Sequence, residues 1–372
     1  MRTHTKTCRV LPFAGLLASL ALLAACGGGG GDGGVMPPPV VEQPEFRHEG
    51  LAGRAVSRIQ QHGERLFAAT DNGLFGKGIG GNDWQPLGLA DYHVQGLAIL
   101  DEQHLLASVI PGSAEPGRRE PRLYESVNGG ANWLPVDNDF GAGREHGIGI
   151  WALAHDAATG RLYATGRDAL AVSEDLGRRW QLLAGSWDSL DPPNMALTLN
   201  GARGQVWYGG QRATEQLVLR RYDLASGTTR SFDSLLLPAP ATIQGVTIDP
   251  DHPERVIAAG EGGILQTFNN GETWSRPLGD VDYRFYFEVA LDPADSRILY
   301  TAGWTKQFDL PQPLIVEISR DSGASWSSFE LDDPGLFGGA LSVLAVAEGG
   351  RTVLYVGLYR GGIMKVLPPP AT

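Results

Sequence analysis

Ser173-Glu-Asp175-Leu-Gly177-Arg-Arg-Trp180 recurs with variation as Ser126-Val-Asn128-Gly-Gly130-Ala-Asn-Trp133, Thr267-Phe-Asn269-Asn-Gly271-Glu-Thr-Trp274 and Ser319-Arg-Asp321-Ser-Gly323-Ala-Ser-Trp326. The shared form is Ser/Thr-x-Asp/Asn-x-Gly-x-x-Trp. These residue types describe a β-hairpin turn that is both tight and anchored. The Asp or Asn side chain can hydrogen-bond the turn backbone, Gly supplies a positive φ, and Trp packs between neighbouring sheets. None of these roles is catalytic.

Spacing turns the motif into an architecture, because self-similarity at a fixed period is the mark of a repeat fold. Trp133 to Trp180 is 47 residues, Trp180 to Trp274 is 94, and Trp274 to Trp326 is 52. The gap of 94 is twice 47, so a unit with a degenerate turn belongs between them, and Arg221-Tyr-Asp-Leu-Ala-Ser-Gly-Thr-Thr-Arg-Ser-Phe232 fits. Upstream, Gly80-Gly-Asn-Asp-Trp84 lies 49 residues before Trp133 and ends a further unit. Each unit also holds an apolar strand followed by a small-residue turn. These strands begin at Leu66, Leu105, Leu162, Val206, Val256, Ile298 and Val353. The chain is therefore expected to be all-β, a single propeller over 45–367 with seven four-stranded blades; spacing alone would also accommodate six or eight. The last unit shows three strands, ending at Gly361-Gly-Ile-Met-Lys-Val366 before Pro368-Pro-Pro370. A segment near Phe46 to Ala52 is predicted to supply its fourth strand and close the ring.

The repeated turn resembles the Asp box, also called the bacterial neuraminidase repeat. That resemblance implies a hairpin between the third and fourth strands of a blade, on the face away from a ligand site. Families that share it over most of this length are sialidases, two-propeller xyloglucanases, sortilin-type receptors and photosystem assembly-factor-like propellers. The overall look is most similar to the last, which implies a non-enzymatic scaffold that helps another protein assemble. Sialidases require an arginine triad, a Tyr-Glu nucleophile pair and an Asp acid/base. Here Phe46-Arg47-His48-Glu49 departs from their opening Arg-Ile-Pro, and Tyr286-Phe-Glu288 is the pair to test. Xyloglucanases need a second propeller, for which this chain has no room.

The N-terminus speaks to location. Arg2, Lys6 and Arg9 precede an apolar run from Val10 to Ala25 that is short for a membrane span, so residues 1–25 read as a signal peptide. Leu23-Ala24-Ala25-Cys26 resembles the bacterial lipobox, which implies lipidation at Cys26 and a membrane contact through that anchor alone. The Gly- and Pro-rich stretch 26–44 cannot bury enough apolar surface to fold and reads as a tether. Gly27 after the cysteine favours the outer membrane, facing the periplasm. Residues 368–372 form a tail.

The two cysteines, Cys8 and Cys26, leave the expected propeller without a disulfide, so packing must stabilise it; 42% apolar composition is adequate for that. Losing residues 1–25 takes the formal charge from −12 to −15, which argues against nucleic acid as a partner. Metal-ligand, phosphate-loop and nucleophile-elbow motifs are absent, so no metal, cofactor or catalytic residue is expected. Gly76-Lys-Gly78-Ile-Gly-Gly81 opens no helix and reads as a hairpin turn.

Propeller topology predicts where a ligand would sit, since the loops between strands two and three and those entering each inner strand converge on one face. The first set includes Gly166-Arg167-Asp168, Gly210-Gln-Arg212, Glu261, Trp304-Thr-Lys306 and Tyr359-Arg360. The second includes Arg144-Glu-His146, Trp187-Asp188 and Tyr283-Arg284-Phe-Tyr286, with His93 just before another inner strand. The candidate ligand-binding residues are therefore Arg167, Arg212, Arg284, Tyr286, Trp304, Lys306, Arg360 and His146. One reading is a cationic, aromatic-rimmed mouth for a carboxylate, a sugar acid or a partner protein. The other is that charged residues simply populate exposed loops. The functional expectation is a lipid-anchored scaffold binding a periplasmic or membrane protein, or a carbohydrate. The alternative is a sialidase-type hydrolase of acidic sugars.

Overall fold

Every repeat folds into one four-stranded antiparallel sheet, and seven such sheets form the blades of a propeller. The computed structural model describes residues 42–113, 120–146, 148–232, 241–279 and 284–370. The expected signal peptide, Cys26, the tether as far as residue 41, and Tyr283 lie outside the described residues.

Chain order and sheet order coincide except at the seam. After β1 (Glu45–Gly50), blade 1 holds β2 (Val56–His62), β3 (Arg65–Thr70), β4 (Gly73–Gly78) and β5 (Gln85–Pro86). Blade 2 is β6 (Tyr92–Ile99), β7 (Leu105–Pro111), β8 (Arg122–Ser126) and β9 (Leu134–Pro135). Blade 3 is β10 (Ala152–Asp156), β11 (Arg161–Thr165), β12 (Leu170–Ser173) and β13 (Gln181–Ala184). Blade 4 is β14 (Ala196–Asn200), β15 (Gln205–Gln211), β16 (Leu217–Asp223) and β17 (Thr228–Ser231). Blade 5 is β18 (Ile243–Ile248), β19 (Val256–Gly260), β20 (Gly263–Thr267) and β21 (Ser275–Gly279). Blade 6 is β22 (Phe285–Leu291), β23 (Leu299–Trp304), β24 (Leu314–Ser319) and β25 (Ser327–Leu331). Blade 7 combines β26 (Ala340–Glu348), β27 (Arg351–Leu358) and β28 (Ile363–Leu367) with β1 as its outermost strand.

The seven apolar segments picked out by composition are the second strands, which are sheathed on both faces. In β3, for example, Leu66, Phe67, Ala68 and Ala69 are all buried. The degenerate unit is blade 4, where Phe232 stacks on Trp207 with centroids 5.4 Å apart and planes 9° apart. Consecutive blades are tied by hydroxyls reaching the carbonyls of the next blade. Thr165 Oγ1 donates to Asn194 O at 2.7 Å, Thr198 Oγ1 to Val246 O at 2.6 Å, and Thr247 Oγ1 to Val289 O at 2.6 Å.

The four repeated turns share one hydrogen-bond pattern. The buried Ser or Thr hydroxyl accepts from the glycine N–H, at 2.9 Å for Gly130 to Ser126, 2.8 Å for Gly177 to Ser173, 2.9 Å for Gly271 to Thr267 and 2.8 Å for Gly323 to Ser319. It donates in turn to Oδ1 of Asn128, Asp175, Asn269 or Asp321. The glycines hold φ between +85° and +91°, which costs a residue with a Cβ. Each Trp then packs against the preceding blade: Trp133 Nε1 donates to Leu87 O at 2.7 Å, Trp180 meets Phe140 edge-on at 5.4 Å, Trp274 packs on Phe232, and Trp326 joins a cluster with Ile257 and Ile264. A second anchor was not anticipated from sequence. Asp249 and Asp292, each followed by Pro, cap the backbone two and three residues on and brace the loops between the first two strands of blades 5 and 6.

Closure involves β1 (Glu45–Gly50), which overlaps the predicted segment and begins one residue before it. β1 pairs antiparallel with β28, Glu45 opposite Leu367 and His48 opposite Met364, while β26 packs against β2 of blade 1. Glu49 of β1 ion-pairs with Lys77 of β4, whose side chain is 1% exposed, lies over the Tyr355 ring and also donates to Gly81 O at 2.9 Å. The blade 7 sheet is thus bonded to blade 1 by a buried charge pair, and loss of either member would leave the other uncompensated.

Two of the four turns titrate. Backbone donation from Arg179 holds the Asp175 carboxyl below 3.8, and the Ser325 hydroxyl and amide hold Asp321 below it. A carboxyl whose folded value is depressed adds stability that is complete above its unfolded value and is lost as pH falls through the folded one. The thermal midpoint of the wild type is therefore expected to fall more steeply below pH 3.8 than that of Asp175→Asn/Asp321→Asn, followed by circular dichroism. Parallel curves would show that the turn carboxylates contribute nothing.

Candidate functional site

The loops between strands two and three and those entering the inner strands lie on the face opposite the four repeated turns. On the repeat face the turns are tied to the loops between strands one and two: Gly129 N donates to Gln103 O, Asn270 N to Glu254 O and Ser322 N to Arg297 O.

The cations of the loop face are paired. Arg167 donates to Glu120 Oε1 through Nε at 3.2 Å and Nη2 at 2.9 Å, and to Asp191 O at 3.2 Å. Arg220 reaches from blade 4 to Asp168 of blade 3 at 2.8 Å. Lys306 ion-pairs with Glu261 of the neighbouring blade and places its ammonium 3.9 Å from the Phe285 ring centroid. Arg360 lies over Tyr359 at 5.2 Å and Phe337 at 5.6 Å, 3.9 Å from Asp309. Arg212 opens a short turn in which its N–H donates to Gln216 O at 2.8 Å. Arg167, Arg220 and Lys306 each pair with a carboxylate of the preceding blade.

Arg284 and Tyr286 lie deeper than rim residues. Tyr286 is the second residue of β22 and is 1% exposed, packed with Ile257, Ile264 and Val289. Arg284 Nη1 donates to Glu317 Oε1 at 3.1 Å. Burial, reinforced by the Glu317 carboxylate, raises the Tyr286 hydroxyl well above its ordinary value. A phenol held protonated is a poor nucleophile, and the acid beside it is Glu317, whereas Glu288 faces the channel. Burial likewise raises Glu317, opposed by Tyr286 and Arg284.

A cleft and a platform also lie among these loops. Arg167 and His146 line a cleft of about 710 Å³ with Glu120, Phe140, Arg144 and Ile148. His146 is exposed on its rim. Trp304, the last residue of β23, centres the platform. It stacks on Tyr359 at 5.3 Å and 24°, meets Phe308 edge-on at 5.1 Å, and touches Phe287 at 5.7 Å and Phe285 at 6.0 Å. Phe308 is 50% exposed and Leu310 62%. Their loop is pre-shaped by the Gln312 side chain, which accepts from Thr305 N at 3.0 Å and Thr305 Oγ1 at 2.8 Å and donates to Gln307 O at 2.8 Å.

The third feature is the channel itself. A cavity of about 200 Å³ near the loop face is lined by Ser57, Arg58, His93, Gln95, Gln244 and Glu288 among others. His93 lies within β6, where loop placement was expected. Burial raises the Glu288 carboxyl, opposed by the charge of Arg58 and by the Val343 N–H, which donates to Oε2 at 3.3 Å. Phe308, Leu310 and, apart from His93 and Glu288, the channel polar groups carried no signal in the sequence, because neither the loop nor the inner strands hold a recurring motif of known chemistry. Among the described residues no three His, Cys, Asp or Glu side chains are placed to hold a metal ion.

No protein-family model matches the chain, and no curated protein matches it in sequence. Its fold is similar to that of a GH74 xyloglucanase from Xanthomonas campestris, with a TM-score of 0.61 at 15% identity over 86% of this chain and 53% of that one. The chain therefore spans about half the length of that enzyme. It is similar also to YCF48 from Cyanidioschyzon merolae, at TM-score 0.58 and 14% identity over 87% of this chain and 99% of that one. A chain of the mitotic checkpoint complex aligns at 0.58 and 13% identity, covering 97% and 99%. At these identities the likeness is one of fold, shared by glycoside hydrolases and by propellers of protein complexes.

A structural role for Arg284 is open to direct measurement. Arg284→Met strands the Glu317 carboxylate, and a loss of about 3–5 kcal/mol is expected in denaturant unfolding. Adding Glu317→Leu should recover most of it. A single variant as stable as wild type would show the pair to be dispensable.

Proposed function

We propose that this chain is an exported, lipid-anchored propeller that acts as a binding scaffold, holding a protein partner against its loop face. The observation that carries this reading is the Trp304 platform. Five aromatic rings, Phe285, Phe287, Trp304, Phe308 and Tyr359, form one contiguous group that ends in exposed Phe308 and Leu310. Large aromatics centred in a patch and rimmed by polar groups are what protein interfaces use as anchors. The Gln312 bonds hold the Thr305–Gln312 loop in one shape before binding, which lowers the ordering cost of association.

The glycosidase alternative draws on the same residues differently. It asks several guanidiniums to share one anion and a Tyr-Glu pair to meet the sugar. Here Arg167 is engaged with Glu120 and Arg360 with Asp309 and Tyr359, while Tyr286 is buried beside Glu317. The anchor and the export route rest on Leu23-Ala24-Ala25-Cys26 and on the charge pattern ahead of it.

Partner capture from native membranes, with a photo-crosslinking residue introduced beside Phe308, tests the scaffold. Phe308→Ser/Leu310→Ser should cut the crosslinked product by about tenfold or more at unchanged thermal midpoint, as for loss of interface anchors. Equal crosslinking, or turnover of sialosides or xyloglucan fragments by the purified protein, would refute the reading. For the anchor, Cys26→Ala is expected to move the chain from the membrane pellet to the soluble fraction on fractionation. Retention in the pellet would exclude lipid at Cys26.

A further inference from the structure

Five of the seven innermost strands carry a β-bulge: between Val56 and Arg58, Val94 and Gly96, Ile243 and Gly245, Tyr286 and Val289, and Ala340 and Ser342. The inner strands of blades 3 and 4 pair without one. A bulge takes a residue out of the ladder and re-aims its side chain. The residues released are Ser57, Gln95, Gln244, the Phe287–Glu288 pair and Leu341. All of them line the same cavity of about 200 Å³, together with Arg58 and Met195.

The collar is set by close backbone contact. The dipeptide Gln-Gly recurs in Val94-Gln95-Gly96-Leu97 and Ile243-Gln244-Gly245-Val246. A Cβ on Gly245 would lie 2.4 Å from Phe287 O and one on Gly96 3.3 Å from Trp151 O. Glycine lets adjacent inner strands approach, and the glutamine before it is turned to the axis.

The chemistry of the collar is lopsided. Among the described residues Arg58 forms no hydrogen bond or ion pair, only a longer-range interaction with Glu288. Among the described residues the Glu288 carboxyl group accepts a single long hydrogen bond, from Val343 N. A carboxylate taken out of water needs several donors, and a guanidinium offers five. Just below, Gln60 Oε1 is buried without a partner. The serine and threonine hydroxyls of this level are already committed, Ser57 to Ala69 O and Val94 O and Thr198 to Val246 O. What faces the cavity is thus the Arg58 guanidinium with no hydrogen-bonded partner among the described residues, an under-satisfied carboxyl group, two amides, the His93 imidazole, and an apolar wall of Met195, Val246, Phe287 and Leu341.

We propose that the upper channel binds a small α-amino acid with an uncharged side chain, its carboxylate held by Arg58, its ammonium by Glu288 and its side chain by the apolar wall. Arg takes a carboxylate bidentately, and a ligand ammonium completes the Glu288 shell that Arg58 leaves open. A cavity of about 200 Å³ has space for a molecule of that size, since one water occupies about 10–15 Å³ in the same measure. The site goes beyond partner docking. It shares Phe287 with the platform but contains neither Phe308 nor Leu310, so the two readings fail independently.

The test is titration calorimetry and thermal shift on the purified full-length chain with L-leucine, L-glutamine and L-methionine. Controls are 4-methylpentanoate, which lacks the ammonium of leucine, and 3-methylbutylamine, which lacks its carboxylate. At least one amino acid should bind and raise the midpoint, and the truncated probes should bind about tenfold more weakly or worse, as expected when buried polar groups lose their partner. Arg58→Met/Glu288→Gln removes both charges without stranding either, and should abolish the effect while keeping the native circular dichroism. Gln244→Ala, which removes no charge, should weaken it. No binding by any of the three at millimolar concentration, equal binding of leucine and its truncated probes, or binding unchanged in the double variant would overturn the proposal.

Discussion

A four-stranded blade has two apolar faces and no way to bury them alone, so the fold stands or falls on every blade having a neighbour on both sides. The clusters of buried side chains reflect this. Each is shared between consecutive blades, and one joins Val56, Ile59 and Leu66 of blade 1 to Val346, Val353 and Tyr355 of blade 7. That last contact exists only because the chain returns to its start. Pairing of β1 with β28 makes the outer edge of blade 7 from the beginning of the domain, so unfolding either end opens the ring at the same place. Lys77 and Glu49 reinforce the seam with a pair that is meaningful only in the closed state.

The same constraint explains what became of the loop-face charges. Neighbouring blades bring Arg167 to Glu120, Arg220 to Asp168 and Lys306 to Glu261. Partly buried pairs of this kind add modest net stability but penalise the wrong blade-to-blade register, because a shifted register leaves each charge unpaired. With the cations used this way, the proposed binding rests on other groups, the exposed aromatic surface around Trp304 and the bulged collar inside the channel. The two differ in character. The first is a large exposed aromatic surface, and the second is a small hollow with polar groups on one side and an apolar wall on the other.

How far the chain could be read before folding follows from the range of the interactions. Hairpin turns are local: Ser173, Asp175, Gly177 and Trp180 sit within eight residues and their bonds close within that span, so the motif announces itself. Repetition of a local signal at near-constant spacing then counts the blades. The charge of Arg167 or Lys306 was equally visible, but its partner comes from another blade, and sequence distance says nothing about which acid will be opposite. Tyr286 illustrates the limit in one residue. It was read as a rim aromatic, whereas the start of β22 comes earlier and turns its ring into the core between blades 5 and 6.

By itself, then, the sequence determined the class of fold, a blade count of about seven that the structure fixed at seven, the place of each anchored turn and the segment that closes the ring. All of these depend on contacts near in sequence or on a repeated period. Only the tertiary structure decided which cations are neutralised, that Phe308 and Leu310 form an exposed edge, and that five bulges aim Ser57, Gln95, Gln244, Phe287–Glu288 and Leu341 into one cavity. Those outcomes depend on groups from blades tens to hundreds of residues apart meeting around a common axis, and no local pattern encodes such a meeting.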